Sequence, residues 1–201
     1  IIMLTPRPYL SFSQMTLFER SPEAYAEQYL YGIKSHESKN MAYGSMLAKG
    51  LEDEEATGDP LLDLVMSRLP KFELMDKPLE ADLKNGKEII HLLAKPDTCK
   101  ADYTAFKEYK TSVRKWTQKM VDESGQIDFY ATAIWLKTGK IPQDIELVCA
   151  ETAYDQDGKL SVTGEIWHFP TKRTMTNVIK TTKRMRAAWK GIQELCQKEL
   201  L

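Results

Sequence analysis

Pro96 and Asp97 are followed, eleven residues after the aspartate, by Glu108-Tyr109-Lys110, and no other stretch restricts the folding of this chain so tightly. Residues two apart on a β-strand share a face, so Glu108 and Lys110 stand together while Tyr109 turns away. An aspartate on the neighbouring strand then brings two carboxylates and one ammonium to a single spot. Such a group holds a hard divalent cation and a polarised water beside a phosphodiester. The same residues also fit a turn aspartate and an ordinary exposed strand face, so the rest of the chain has to separate the two readings.

The flanking sequence supplies the strands. Pro78 to Lys84 and Lys87 to Ala94 read as two strands around an Asn85-Gly86 hairpin turn, and the second runs into Pro96-Asp97. A turn near Asp102 leads to a strand over Thr104 to Thr111, antiparallel to the one before it. Upstream lie four helices. The first is capped at Ser11-Phe12-Ser13 with an apolar stripe at Met15, Leu17 and Phe18. The second starts at Ser21-Pro22-Glu23 and ends at Gly32, the third covers Met41 to Glu55, and the fourth Pro60 to Leu69. Downstream, Lys115 to Lys137 is helical, with an apolar face at Ile127, Tyr130, Ile134 and Trp135 before Gly139 stops it. A second hairpin, Ile145 to Tyr154 and Lys159 to Phe169, is closed by Pro170. A long C-terminal helix follows, with a stripe at Met175, Val178, Ile179, Met185, Trp189 and Ile192. The predicted fold is a mixed α/β domain spanning residues 1–201, a small central sheet flanked by helices.

Bulk chemistry narrows the partners. Twenty-eight basic and 29 acidic residues leave a net charge of −1, so any nucleic-acid contact rests on a local patch. No apolar run reaches membrane-spanning length, and Ile1 to Pro6 lacks the apolar core of a signal peptide, which predicts a cytoplasmic protein. Ile1-Ile2 reads as a tag scar ahead of a start at Met3. Cys99, Cys149 and Cys196 are too far apart for a zinc ribbon, and His36, His91 and His168 are scattered, each a surface or strand histidine rather than a ligand.

Three further groupings bear on chemistry. Gly44, Ala48 and Glu52 recur every four residues, so small side chains let that helix approach the sheet and carry Glu52 toward the Asp97 site. A solvated acidic helix end, Glu52 to Glu55, is the alternative. Gln126 and Tyr130 share a helix face, and a glutamine on an apolar stripe needs a partner or a role. Lys172, Arg173, Lys180, Lys183, Arg184, Arg186 and Lys190 form an acid-free basic run, with Arg114, Lys115 and Lys119 as a second group. Beside a metal site these would make a phosphate-binding flank.

In order along the chain, four segments resemble the PD-(D/E)XK nuclease superfamily, in its RecB-like and phage-lambda-type exonuclease branch. They are Ser11 to Tyr25 with Ser21-Pro22, Gly44 to Glu52, Pro96-Asp97 with Glu108 to Thr111, and Gln126 to Ala131. The resemblance implies a restriction-endonuclease-like core and a Mg²⁺- or Mn²⁺-dependent DNA exonuclease of phage or bacterial recombination and repair, in the host cytoplasm if phage-encoded. Asp97, Glu108, the Tyr109 carbonyl and Glu52 would then hold metal. Lys110 would orient the attacking water, Gln126 would position water or the scissile strand, and Gln126, Tyr130, Arg114 and Lys115 would contact DNA. Many relatives carry histidine at Ala48, so that metal contact is absent here and Glu52 is the helix contribution the resemblance implies. Relatives with an iron–sulfur cluster carry cysteine at Ser21 and more cysteines near the C-terminus than Cys196, so no cluster is expected. A single-strand annealing or recombination protein and a ring-like homo-oligomer are the partners implied. The alternatives are a non-catalytic DNA-binding or recombination-partner module on the same fold, and a structure-specific endonuclease.

Overall fold

The computed structural model describes residues 5–33, 39–53 and 55–199, with residues 39–42 described as helical backbone only. Met3 and His36 lie outside them. Seven α-helices and eight strands follow among the described residues in an order close to that predicted. Ser11 caps α1 (Phe12–Arg20) by accepting from the Gln14 N–H, and Ser21 caps α2 (Pro22–Tyr25) by accepting from Ala24. The second helix does not continue as α-helix to Gly32: Ala26–Leu30 is a π-helical turn. The next two helices are α3 (Lys39–Asp53) and α4 (Pro60–Arg68), the latter capped by Asp59.

The strands form two mixed sheets rather than one. The first joins β1 (Leu10–Ser11), β4 (Glu88–Ala94) and β3 (Leu79–Asn85), with β1 parallel and β3 antiparallel to β4. Asn85 pairs with Glu88, so the hairpin loop is Gly86-Lys87, not Asn85-Gly86; glycine takes the left-handed position at φ +65°. The second sheet runs β2 (Leu74–Met75), β5 (Thr98–Cys99), β6 (Ala105–Ser112), β7 (Asp144–Tyr154), β8 (Leu160–Thr171). Here β6 and β7 are parallel and all other pairs antiparallel. Pro170 does not close β8 but pairs with Glu146 inside it, which an edge strand tolerates because one side of its backbone has no strand partner.

The segment predicted as one helix over Lys115 to Lys137 is two, α5 (Gln118–Asp122) and α6 (Gly125–Thr138), because Ser124 caps a fresh start. Gly139 stops α6 at φ +75°. Every residue of α6 from Ile127 to Ile134 is buried, Asp128 and Thr132 included, so the helix is enclosed all round rather than on one face. It packs on β3 and β4, on Phe106 of β6 through Tyr130, and on α7 (Met175–Glu199). In α7, Val178, Met185, Trp189 and Ile192 are buried as predicted, whereas Met175 and Ile179 face solvent. The opposite face of the larger sheet is covered by α3 and α4: Tyr43, Leu47, Leu51, Leu62 and Val65 meet Tyr109, Val148, Ala150 and Val162. The outer edge of β3 is covered by cations. Lys137 donates to the Glu80 carbonyl (3.4 Å), and Arg186 donates twice to that of Lys84 (3.2 and 3.0 Å).

Candidate active site

At the C-terminal half of β6 the two sides of the larger sheet open into a cleft of about 650 Å³. Strand alternation puts Glu108 and Lys110 on one face, where Lys110 Nζ donates to Glu108 Oε1 at 2.6 Å. Asp97 does not sit on the hairpin strand predicted to carry it, since β4 ends at Ala94 in the other sheet; it stands in the link just before β5. Thr98 pairs with Lys107, so the chain just before β5 lies against Tyr109, whose N–H donates to Asp97 Oδ2 at 2.6 Å. The carbonyl of a strand residue leaves on the same side as its N–H, which puts the Tyr109 carbonyl on the Asp97 side as well. Tyr109 itself points away, its hydroxyl donating to the Pro70 carbonyl.

Helix α3 closes one wall. A Cβ on Gly44 would lie 3.4 Å from Thr111 Oγ1, an ordinary contact, so the approach of α3 does not depend on glycine there; Gly44, Ala48 and Glu52 all line the cleft. Glu52 is exposed and meets Asp76, which holds its carboxyl above the ordinary range. Gln126 lines the other wall, its amide donating to the Tyr130 hydroxyl at 2.9 Å; Tyr130 is buried behind it and does not line the cleft.

Arg114 and Lys115 lie outside the cleft lining, in the exposed segment after β6, with the Lys115 ammonium 5.5 Å from the Trp167 ring centroid. No residue of the basic run over 172–190 lines the cleft itself. Arg173 is buried in an ion pair with Asp128, Arg184 pairs with Glu19 at 2.7 Å, and Arg186 serves β3. His91 bonds Asp82 and His168 bonds Glu146 (2.8 and 3.0 Å), and the three cysteines are buried.

Ser13 and Asp76 line the cleft as well. Ser13 stands at its rim from α1. Asp76 reaches it from the turn after β2, at φ +48°, a left-handed conformation that aspartate tolerates better than most side chains. Its N–H donates to the Asp97 carbonyl at 2.9 Å, and its carboxylate pairs with Lys95. Only the order Asp-Lys-Pro over 76–78 hints at such a turn.

The electrostatics are frustrated. Burial, then the Glu108 charge, lift the Asp97 carboxyl well above its ordinary value, and burial lifts Glu108 although Lys110 opposes it. Burial pulls Lys110 down, yet the Glu108 carboxylate outweighs it and keeps the ammonium protonated. Glu108 Oε2 is buried and receives no hydrogen bond. Among the described residues no three His, Cys, Asp or Glu side chains already form a cage for a metal ion. The oxygen set, two carboxylates beside a backbone carbonyl with one carboxylate oxygen unpartnered, nonetheless suits a hard cation that retains waters.

No family profile matches the chain, and no curated protein matches its sequence. Solved structures do. A candidate exonuclease from Eubacterium rectale superposes with a TM-score of 0.59 over 96% of this chain and 82% of its own, at 15% identity. LHK-Exo crystallised with dAMP matches with a TM-score of 0.54 at 14% identity, covering 96% of this chain and 92% of its own. The alkaline exonuclease LHK-Exo from Laribacter hongkongensis, in a further crystal structure, gives 0.52 at 12% identity over 95% and 91%. The chain shares the fold of these structures.

Proposed function

We propose that this chain is a Mg²⁺- or Mn²⁺-dependent deoxyribonuclease that degrades DNA from an end, its residues 1–201 acting as one nuclease domain. The observation that carries the reading is the Lys110–Glu108 pair beside Asp97, with an unpartnered Glu108 oxygen, in an open cleft. Asp97 and Glu108, with the Tyr109 carbonyl, are the groups that would hold the cation. When bound, the cation supplies Lewis-acid activation of water and of the phosphate oxygens. Lys110, kept charged by Glu108, orients the attacking water and offsets negative charge building on the phosphate. Gln126, braced by Tyr130, positions the scissile strand, and Arg114 and Lys115 contact the DNA backbone beyond the cleft. A neighbour of this fold crystallised with dAMP supports a nucleotide-bearing substrate.

The test is cleavage of end-labelled linear duplex with Mn²⁺. Lys110→Ala and Asp97→Ala should each lose at least about 10²-fold in rate, the scale for removing one preorganised charge-stabilising group. Cleavage at the wild-type rate by either variant overturns the assignment. Cutting of closed circular DNA by the wild type would instead make it an endonuclease.

A further inference from the structure

Asp76 has no part in the motif that defines the site, yet it is built into it. Its backbone is tied to the Asp97 carbonyl, it lines the same cleft, and it stands near enough to Glu52 to hold that carboxyl above its ordinary range. Four carboxylates therefore face this space: Glu52, Asp76, Asp97 and Glu108. Two ammonium groups answer them, and they are not equivalent. Lys110 is committed to Glu108. Lys95 is paired with Asp76 but half exposed on its own side, on a flexible stem that can swing into water. The Oε2 of Glu108, on a residue 2% exposed, has no donor within hydrogen-bond geometry and is a second observation that favours a cation at this spot.

We propose that Asp76 is a positioning residue for the divalent cation, and that Lys95 is its built-in competitor. Without the cation, Lys95 neutralises Asp76. When the cation is held at Asp97 and Glu108, the Asp76 charge turns to it or to its water shell, and Lys95 is released to solvent. Cation affinity is thereby set by a residue outside the motif and tuned by an exposed lysine. The inference rests on the metal-dependent reading above.

Calorimetric titration with Mn²⁺ alone, without DNA, tests it. Asp76→Asn keeps a side chain that tolerates the left-handed turn. It should weaken Mn²⁺ binding by about 10–100-fold, the range for losing a supporting group around a metal. Lys95→Met should tighten binding severalfold, since Asp76 no longer has to leave a partly exposed ammonium partner before it turns to the cation. Weakening alone could reflect a disturbed turn, whereas tightening could not. The decisive arm is the double variant: in the Asp76→Asn background, Lys95→Met should change nothing, because its effect runs through Asp76. Equal tightening in both backgrounds, or no tightening in either, overturns the proposal. If binding needs Asp97 but is indifferent to Asp76, this inference fails and the metal-dependent reading stands. If the wild type binds no Mn²⁺, that reading fails too.

Discussion

Asp97 and Glu108 are carboxyls that the fold alone would rather keep protonated. In the unfolded chain both ionise near pH 4. In the folded, metal-free chain burial moves Asp97 well above that range and Glu108 above it. Over the interval between the unfolded and the raised folded values the native state binds more protons, so its stability falls as pH rises. Metal-free Asp97→Asn should accordingly melt above the wild type at pH 8, by about 2–4 °C for each kcal/mol relieved, with the advantage gone by about pH 4. The amide oxygen can still accept from the Tyr109 N–H, so the native contact survives. Saturating Mn²⁺ should raise the wild-type melting temperature and leave that of the variant unmoved. An asparagine variant no more stable than wild type at pH 8 would refute this account of the site. These residues were legible in sequence because a two-residue strand period dictates that Glu108 and Lys110 meet. Asp76 was not, since its place depends on one left-handed residue in a turn twenty-one positions before Asp97.

Helix packing shows where reading by pattern stops. The α7 stripe located Val178, Met185, Trp189 and Ile192 in the core, but Gly191 and Arg173 carry contacts that periodicity cannot reveal. A Cβ on Gly191 would stand 2.6 Å from Phe18 Cζ and 2.7 Å from its neighbouring ring carbon, so α1 rests directly on the α7 backbone. Gly191→Ala gains about 1 kcal/mol of helix propensity and meets overpacking worth about 1–3 kcal/mol. With Phe18 packed edge-on against Tyr25, the clash should win and the variant should unfold at lower urea. Adding Phe18→Leu should restore the midpoint; a single variant as stable as wild type would mean the ring moves aside freely. Arg173 was read as part of a basic surface. It is buried instead, donating to Thr171 and to the Val121 and Ser124 carbonyls, and so it joins the end of β8 to α5 and α6. A sequence shows that an arginine is present, not that Asp128 waits for it forty-five residues away.

The fold class, strand order within each hairpin and the meeting of four motifs were all readable along the chain. The division into two sheets was not, because it is decided by α6 inserting between the β3–β4 hairpin and β6, a contact among distant residues. With a net charge of −1, the molecule has no general attraction to DNA, and Arg114 and Lys115 are the exposed cations after β6 to which such contact is assigned. Binding of linear duplex by Lys110→Ala in Ca²⁺ should weaken linearly with log salt. Replacing Arg114 and Lys115 with alanine should flatten the slope by about 1.8, at roughly 0.9 per lost phosphate contact. An unchanged slope would place the DNA track elsewhere.

The guard on β3 also has an order in time. Lys137 comes from α6 and Arg186 from α7, both made after the strand they cover. A ribosome that has released residues 79–85 has released a strand whose outer carbonyls still lack these donors, and Arg186 emerges about a hundred residues later. Every nascent copy therefore passes through an interval in which that edge can pair with a neighbouring chain on the same polysome. The last helix ends that exposure.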